Sequence, residues 1–74
     1  MKRSANLIGR KVAKLRFQRG WTQEILAARL QVRGFEITRD IIANIETRRC
    51  TAADWHVLAF AKMFGVNTDE LFIR

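Results

Sequence analysis

One short stretch, TRDIIANIETRR at residues 38–49, holds the side chains best suited to reading nucleic-acid bases. An arginine can donate two hydrogen bonds to guanine, and an asparagine can bond adenine in the same paired manner. Arg39 and Asn44 supply these groups, while Ala43 and Thr47 are short enough to let a partner approach the backbone. Taken alone, the same residues could equally form the solvated face of an ordinary helix.

The three isoleucines of this stretch indicate a helix with one apolar face. Ile41, Ile42 and Ile45 project within about 100° of one another around an α-helix, so they can anchor it to a core. Thr38 precedes them at the position where a hydroxyl caps a helix N-terminus. The opposite sector would then present polar and short side chains to a partner, namely Arg39, Asp40, Ala43, Thr47 and, at its edge, Asn44.

Two further groups of residues could contact phosphates. Arg48 and Arg49 follow the end of this helix, where cationic side chains can pair with a nucleic-acid backbone. Thr22 and Gln23 open an earlier helix, and the backbone amides at a helix N-terminus bind anions readily. Two helices with a short connection, the second of which carries multi-donor side chains, match the geometry of a helix-turn-helix.

Charge is distributed unevenly along the chain. Fourteen Lys and Arg against seven Asp and Glu give a net charge of +7. Residues 1–49 hold twelve basic and four acidic side chains, a net charge of +8, whereas residues 50–74 hold two and three, a net charge of −1. Such asymmetry is typical of a protein that binds a polyanion. It does not distinguish DNA from RNA or from an anionic membrane.

The 74 residues are enough for one domain, which we expect to be ordered from about residue 6 to residue 73. Cys50 is the only cysteine, so no disulfide can form within the chain. A small buried thiol is a simpler interpretation of Cys50 than a nucleophile. The basic N-terminus is not followed by the apolar segment of a signal peptide, and no apolar run reaches the roughly 18 residues of a membrane span. We therefore expect a cytoplasmic protein.

The spacing of apolar residues predicts a compact all-α bundle of about five short helices. The predicted helices cover residues 7–18, 22–31, 38–47 and 51–64, with a short terminal turn at 68–72. Gly20 and Gly65 are suited to end helices in the left-handed conformation. Thr51 and Asp54 are expected to form a capping box at the start of the fourth helix. The other expected N-caps are Thr22 and Thr68.

The same periodicity predicts the inward-facing residues. They are Leu7, Ile8, Val12 and Leu15 in the first helix, Leu26, Ala27 and Leu30 in the second, and Trp55, Leu58, Ala59 and Phe64 in the fourth. Both tryptophans are expected to be core anchors, with Trp21 placed to staple the start of the second helix. The segment QVRGFEI, residues 31–37, connects the second and third helices through a turn at Gly34 and a brief extended piece at 35–37.

Five groups of residues, in order along the chain, resemble the lambda-repressor-like family of Cro/repressor-type helix-turn-helix regulators. They lie within GRKVAKLRFQRGWTQEILAARL, TRDIIANIETRR and LAFAKMFGVNTDELF, and the resemblance covers residues 7 to 72. The groups are the LR of residues 15–16, the TQE of 22–24, the LA of 26–27, the IANIE of 42–46 and the closing LAFAKMFGVNTDELF of 58–72. No single group is specific, but five in register make a strong match.

The resemblance implies that the third helix lies in the major groove of double-stranded DNA. The implied base-contacting residues are Arg39, Asp40, Ala43, Asn44 and Thr47, with Gln23 near the edge of the half-site. The implied phosphate-contacting residues are Thr22, Arg33, Thr38, Arg48 and Arg49. Arg16 and Glu46 occupy the positions of an internal salt bridge between the first and third helices. The chain departs from the family in its longer 31–37 connection, in Thr47 and Thr51-Ala52 where glycine and proline are usual, and in Ile25 where glutamate is usual.

The expected function is that of a sequence-specific transcriptional regulator of the repressor type. Two copies about 34 Å apart, one helical turn of DNA, would supply affinity and match a palindromic operator. The predicted dimer interface is the C-terminal segment, because it is more apolar than a monomer surface needs. Its residues are Val66, Leu71, Phe72 and Ile73.

Two other functions are compatible with the sequence. The first is a helix-turn-helix-fold protein-interaction module, such as an antitoxin-like or adaptor domain, whose basic face serves a partner protein. The second is a cationic membrane-surface peptide, which is disfavoured because the apolar stripes are needed for a mutual core. An enzyme is not expected, since the chain shows no glycine-rich phosphate loop, carboxylate pair or nucleophile–base set. His56 and Cys50 do not have a zinc-site spacing, so no metal site is expected. No cofactor or small-molecule ligand is expected either.

Overall fold

The computed structural model describes residues 8–47 and 52–72. It forms helices where the spacing of apolar residues predicts them. Its helices are α1 (Ile8–Gln18), α2 (Gln23–Val32), α3 (Arg39–Glu46) and α4 (Asp54–Phe64), followed by a 3-10 helix at Thr68–Phe72. The described residues contain no strand, so the all-α prediction is confirmed. Residues 35–37 belong to an irregular connection between α2 and α3, and Leu7 lies outside the described residues.

Both α2 and α3 begin at the threonines that the sequence predicts. Oγ1 of Thr22 accepts a hydrogen bond from the backbone N–H of Ile25 at 3.1 Å. Oγ1 of Thr38 accepts from the N–H of Ile41 at 3.3 Å. Each hydroxyl satisfies a first-turn amide that has no partner inside its own helix. The caps therefore fix where each helix starts and which side chains of α3 face outward.

The start of α4 differs from the predicted capping box of Thr51 and Asp54. The N-cap residue is Ala53, whose side chain has no acceptor, and Thr51 lies outside the described residues. Nδ1 of His56, three residues on, accepts a hydrogen bond from the N–H of Ala53 at 3.0 Å. An imidazole thus supplies the reciprocal half of a capping box, the role that glutamate or glutamine usually has.

The inward face of α4 was predicted wrongly for two residues. Trp55 and Leu58 are each 47 % exposed, whereas Val57, Phe60 and Ala61 join the core with the other buried α4 residues Ala59, Met63 and Phe64. The sequence DWHVLAFAKMF has apolar residues on more than one side of the helix, so periodicity alone does not choose a face. The position of α4 against α1, α2 and the 3-10 helix makes that choice.

A single apolar core joins all the helices. Ile8 and Val12 of α1 are fully buried, together with Phe60 of α4 and Leu71 of the 3-10 helix. The other fully buried large side chains are Leu26, Leu30, Ile37, Ile42 and Ile45. Ile37 belongs to the connection between α2 and α3, so this segment is fixed to the core despite its length.

The backbone of α1 touches that of α3 at Gly9. A Cβ atom built on Gly9 would overlap the carbonyl oxygen of Ile45 and lie 3.2 Å from Cα of Glu46. Only glycine leaves room for this approach, because the atoms that a larger residue would meet belong to the backbone of α3 and cannot rotate away. Gly9 was not singled out in the sequence, yet it fixes how closely the two helices pack.

We expect Gly9→Ala to destabilise the protein by about 1–3 kcal/mol, the usual cost of overpacking. Helix propensity alone predicts the opposite sign, since alanine is favoured over glycine by about 1 kcal/mol in a helix interior. Urea unfolding followed by circular dichroism would measure the difference. Lys14→Ala, at an exposed position of α1, is the control and should stay within about 0.5 kcal/mol of wild type. A stabilised Gly9→Ala would contradict the close approach.

We also expect stability to fall in mild acid because of His56. Burial lowers the pKa of His56 below 6.5, and its buried Nε2 has no hydrogen-bond partner among the described residues. The unfolded chain therefore binds a proton more readily than the folded one, so stability is retained above pH 6.5 and is lost as pH falls toward the lowered pKa. Protonated His56 would also lose the acceptor that caps Ala53.

Thermal unfolding at several pH values between about 7 and 5, which bracket the titration of histidine, would measure this loss. His56→Gln is the matched control, because an amide oxygen can still accept from the N–H of Ala53 but does not titrate. Its decline in stability over this range should be smaller than that of wild type. Parallel pH profiles for the two proteins would show that His56 is not the titrating group.

Candidate nucleic-acid interface

Helix α3 has one buried side and one open side. Ile42 and Ile45 are fully buried, and Ile41 is half-buried against the core, as the sequence predicts for the inner face. These residues pack α3 against α1 and α2. The opposite side is open, with Arg39, Asp40, Asn44 and Thr47 exposed and Ala43 half-buried. The five residues predicted to contact bases therefore share one accessible surface, which we call the α3 face.

A buried ion pair holds the last turn of α3 on α1. Nε of Arg16 donates to Oε2 of Glu46 at 2.8 Å, and Nη2 donates to Oε1 at 2.9 Å. The two side chains are only 8 % and 6 % exposed. The pairing of Arg16 with Glu46 that the resemblance implied is thus confirmed, and its two parallel hydrogen bonds set the orientation as well as the distance.

Two more contacts extend this pair to α2. Nη1 of Arg16 donates to the carbonyl oxygen of Trp21 at 2.8 Å, just before α2 begins. Nε2 of Gln23 donates to Oε1 of Glu46 at 3.1 Å. Gln23, a predicted DNA-contacting residue, is therefore half-buried and linked to α3 by its side-chain amide. Helices α1, α2 and α3 meet at one hydrogen-bonded centre, formed by Arg16, Trp21, Gln23 and Glu46.

Some exposed polar groups of the α3 face already make contacts within the chain, which affects how readily they can bind a partner. Nη1 of Arg39 lies 3.6 Å from Oδ1 of Asp40, and both side chains are mostly exposed, at 57 % and 87 %. Pairs of this kind contribute little to stability and are easily exchanged for another partner. The hydroxyl of Thr47 donates to the carbonyl oxygen of Ala43 at 2.8 Å at the end of the helix. The Thr47 oxygen can therefore accept a further hydrogen bond but has already used its proton.

The predicted phosphate-contacting residues are only partly within the described structure. Arg33 is exposed at the end of α2, and the hydroxyls of Thr22 and Thr38 are exposed caps at the starts of α2 and α3. Arg48 and Arg49 lie outside the described residues. The described structure thus brings several donors to the ends of the two helices that flank the connection.

A cluster around Trp21 was not predicted from the sequence. The Trp21 ring is half-buried and stacks on Phe64 with 6.1 Å between ring centroids. The guanidinium of Arg29 lies 4.6 Å from the centroid of the Trp21 ring, and that of Arg19 lies 5.8 Å away. Arg19 also donates to the carbonyl oxygens of Leu15 at 3.2 Å and Phe64 at 2.7 Å. Arg19 thus caps the ends of α1 and α4, and both arginines cover the Trp21 ring.

The C-terminal segment is not the free apolar surface that its sequence suggested. Leu71 is fully buried, so its assignment to a dimer interface is wrong. Val66 and Phe72 are half-buried and pack against the core of the same chain. Ile73 lies outside the described residues. The apolarity of the segment is explained by the contacts of the 3-10 helix with α1 and α4.

Within residues 8–47 and 52–72, no group of three or more His, Cys, Asp or Glu side chains is placed to hold a metal ion. No helix in the same ranges is long and apolar enough to cross a membrane.

No protein-family model, curated protein or solved structure matches the chain.

We expect Glu46→Ala to be among the most destabilising single changes at this centre. It would leave the Arg16 guanidinium buried without its charge partner, which typically costs about 3–5 kcal/mol. Replacing both partners by apolar residues, Arg16→Met with Glu46→Leu, should cost clearly less, because no buried charge remains. Urea unfolding of wild type and these two variants would measure the order. A double variant less stable than Glu46→Ala would show that the charges themselves stabilise the fold.

Proposed function

We propose that this protein is a sequence-specific double-stranded DNA-binding regulator whose α3 face reads the major groove. The observation that carries the proposal is the α3 face, where Arg39, Asp40, Asn44 and Thr47 are exposed around the half-buried Ala43, while the opposite side of the helix is anchored in the core. The expectation of a repressor-type regulator rests on the resemblance of the sequence to Cro/repressor-type regulators.

The diameter of an α-helix suits the major groove. With its side chains such a helix is about 10–12 Å across, and the groove is about 12 Å wide. In a helix-turn-helix, the first helix crosses the DNA backbone and the second enters the groove. We assign these roles to α2 and α3, which pack together and share the Gln23–Glu46 hydrogen bond.

The exposed side chains offer a defined hydrogen-bonding pattern. Arg39 supplies paired donors for guanine, Asn44 supplies a donor and an acceptor for adenine, and Asp40 can accept from the amino group of cytosine. Ala43 presents a methyl group at the centre of the row, where it can contact a thymine methyl. Since the Arg39–Asp40 pair is solvent-exposed, breaking it to contact bases would cost little.

Phosphate contacts would fix α3 in register on the duplex. The N-terminus of α2, with Thr22 and Gln23, would bind one phosphate through its backbone amides. Arg33 and Thr38, together with Arg48 and Arg49, would bind others. The net charge of +7 supports such binding, because each neutralised phosphate releases counterions from the DNA.

Mutations of base-contacting and of phosphate-contacting residues should affect DNA binding differently: the first should reduce sequence preference, and the second should reduce overall affinity. A preferred site is first selected from a random duplex pool, and affinity is then measured for this site and for random DNA. Arg39→Ala with Asn44→Ala should reduce the preference at least about 30-fold, because each paired contact is worth about 1–3 kcal/mol. Arg33→Ala is the matched control and should weaken binding to both DNAs by a similar factor.

Salt dependence distinguishes this function from a protein-interaction module. The logarithm of the DNA-binding constant should fall linearly with the logarithm of the salt concentration, with a slope of about −0.9 for each phosphate contacted. Arg33→Ala should make that slope shallower by about one contact. If the Arg39 and Asn44 changes left the preference intact, α3 would not be the reading helix. If the protein bound no DNA duplex even at low salt, the protein-interaction module would be favoured instead.

A further inference from the structure

Helix α4 carries a second exposed surface that the DNA-binding proposal does not use. The exposed residues of α4 are Asp54, Trp55, Leu58 and Lys62, which we call the α4 face. At 100° per residue they fall within one sector of about 100° along the whole length of the helix. Trp55 and Leu58, three residues apart, form its apolar centre and are each 47 % exposed.

The described part of the protomer does not cover this face. The centroid of the Trp55 ring lies 4.1 Å from that of His56, a neighbour on the same helix. Neither Asp54 nor Lys62 forms an ion pair with another described residue. A large aromatic side chain beside an exposed leucine is a common feature of interaction sites, where such residues provide most of the binding energy.

The charges of the α4 face are arranged symmetrically about its apolar centre. Asp54 lies four residues before Leu58, and Lys62 lies four residues after it. If two such helices pack antiparallel with Leu58 at the crossing point, each Asp54 meets the other copy's Lys62 at both ends. A parallel pair would instead place Asp54 beside Asp54. The pattern is therefore complementary to itself in one orientation only.

We propose that the α4 face is a dimer interface at which two copies of this chain pair through antiparallel α4 helices. A two-fold interface uses the same patch on both partners, which is the property that the charge pattern has. Leu58 packs on Leu58 of the partner subunit, the indoles of Trp55 flank this contact, and the two Asp54–Lys62 pairs set the register.

The interface replaces the C-terminal surface expected from the sequence, whose Leu71 is buried. One helix face is smaller than the roughly 800 Å² per partner of a stable complex, so the dimer is weak on its own. Its formation does not depend on DNA, and it is therefore tested without DNA. A failure here leaves the DNA-binding proposal standing, and the reverse is also true.

The first test is sedimentation equilibrium of the full chain without DNA, from about 10 µM to about 1 mM, a range suited to weak association. Wild type should show a reversible monomer–dimer equilibrium. Leu58→Ser should raise the dissociation constant at least about tenfold. Val32→Ser is the matched control, because Val32 is 88 % exposed on α2, outside the α4 face, and should leave the equilibrium unchanged.

The second test uses charge reversal. Asp54→Lys gives a face with two positive charges, and Lys62→Asp gives one with two negative charges, so each variant alone should be monomeric. An equimolar mixture should form a heterodimer, because both cross-pairs are then attractive in the antiparallel register. The chains are the same before and after mixing, so any change in helix stability caused by the substitutions cannot produce this result.

Three results would overturn the proposal. The first is a wild-type chain that stays monomeric throughout the concentration range. The second is equal weakening by Leu58→Ser and Val32→Ser. The third is a mixture of the charge-reversed variants that associates no more than either variant alone.

Discussion

The arrangement of the three N-terminal helices depends on one buried ion pair, Arg16 with Glu46. Burying two charges costs several kcal/mol for each ion, and this cost is offset only when the remaining hydrogen-bonding groups are also satisfied. The structure meets that condition, because the guanidinium also donates to Trp21 and the carboxylate also accepts from Gln23. A pair with so many directional contacts permits few alternative packings. Its main effect is to select one orientation of α3 relative to α1 and α2.

The ion pair and the packing at Gly9 act on the same end of α3. Gly9 lets the backbone of α1 approach Ile45 and Glu46, and Arg16 then holds the Glu46 side chain in place. Ile42 anchors the middle of the helix in the core. All of these contacts lie on the inner side of α3. On its outer side Thr47 bonds the end of the helix and Arg39 pairs with Asp40, but these residues are all exposed, so this side is open to a partner.

Much of the fold near α3 could be predicted from local sequence. Thr22 and Thr38 are strong caps wherever a helix follows, and the isoleucine spacing of α3 identifies a single apolar side. The Arg16–Glu46 pair was found through the family resemblance, because two residues thirty apart give no local signal of their contact. The accessible positions of the α3 face follow directly from the inward positions of Ile42 and Ile45.

The wrong predictions concern α4 and the C-terminal segment, where packing between helices determines which side chains are buried. Apolar residues surround most of α4, so either of two sides could have faced inward, and Phe60 rather than Trp55 fills the core. The sequence predicts a surface position for Leu71 because it does not show that the 3-10 helix folds back onto α1 and α4. The roles of Arg19 and Gly9 depend on atoms from distant parts of the chain. No periodicity in the sequence reports such contacts.

The connection between α2 and α3 has a consequence for how this scaffold could be altered. Ile37 is fully buried, and its carbonyl oxygen accepts a hydrogen bond from Nε2 of Gln31 at 3.3 Å, so the far end of the connection is fixed independently of its tip. The tip at Arg33 and Gly34 is exposed, and Gly34 has a φ of +90° with open space around it. Exposed tips of this kind tolerate added residues. A foreign peptide spliced in there would be displayed while the helices on either side keep their relative positions.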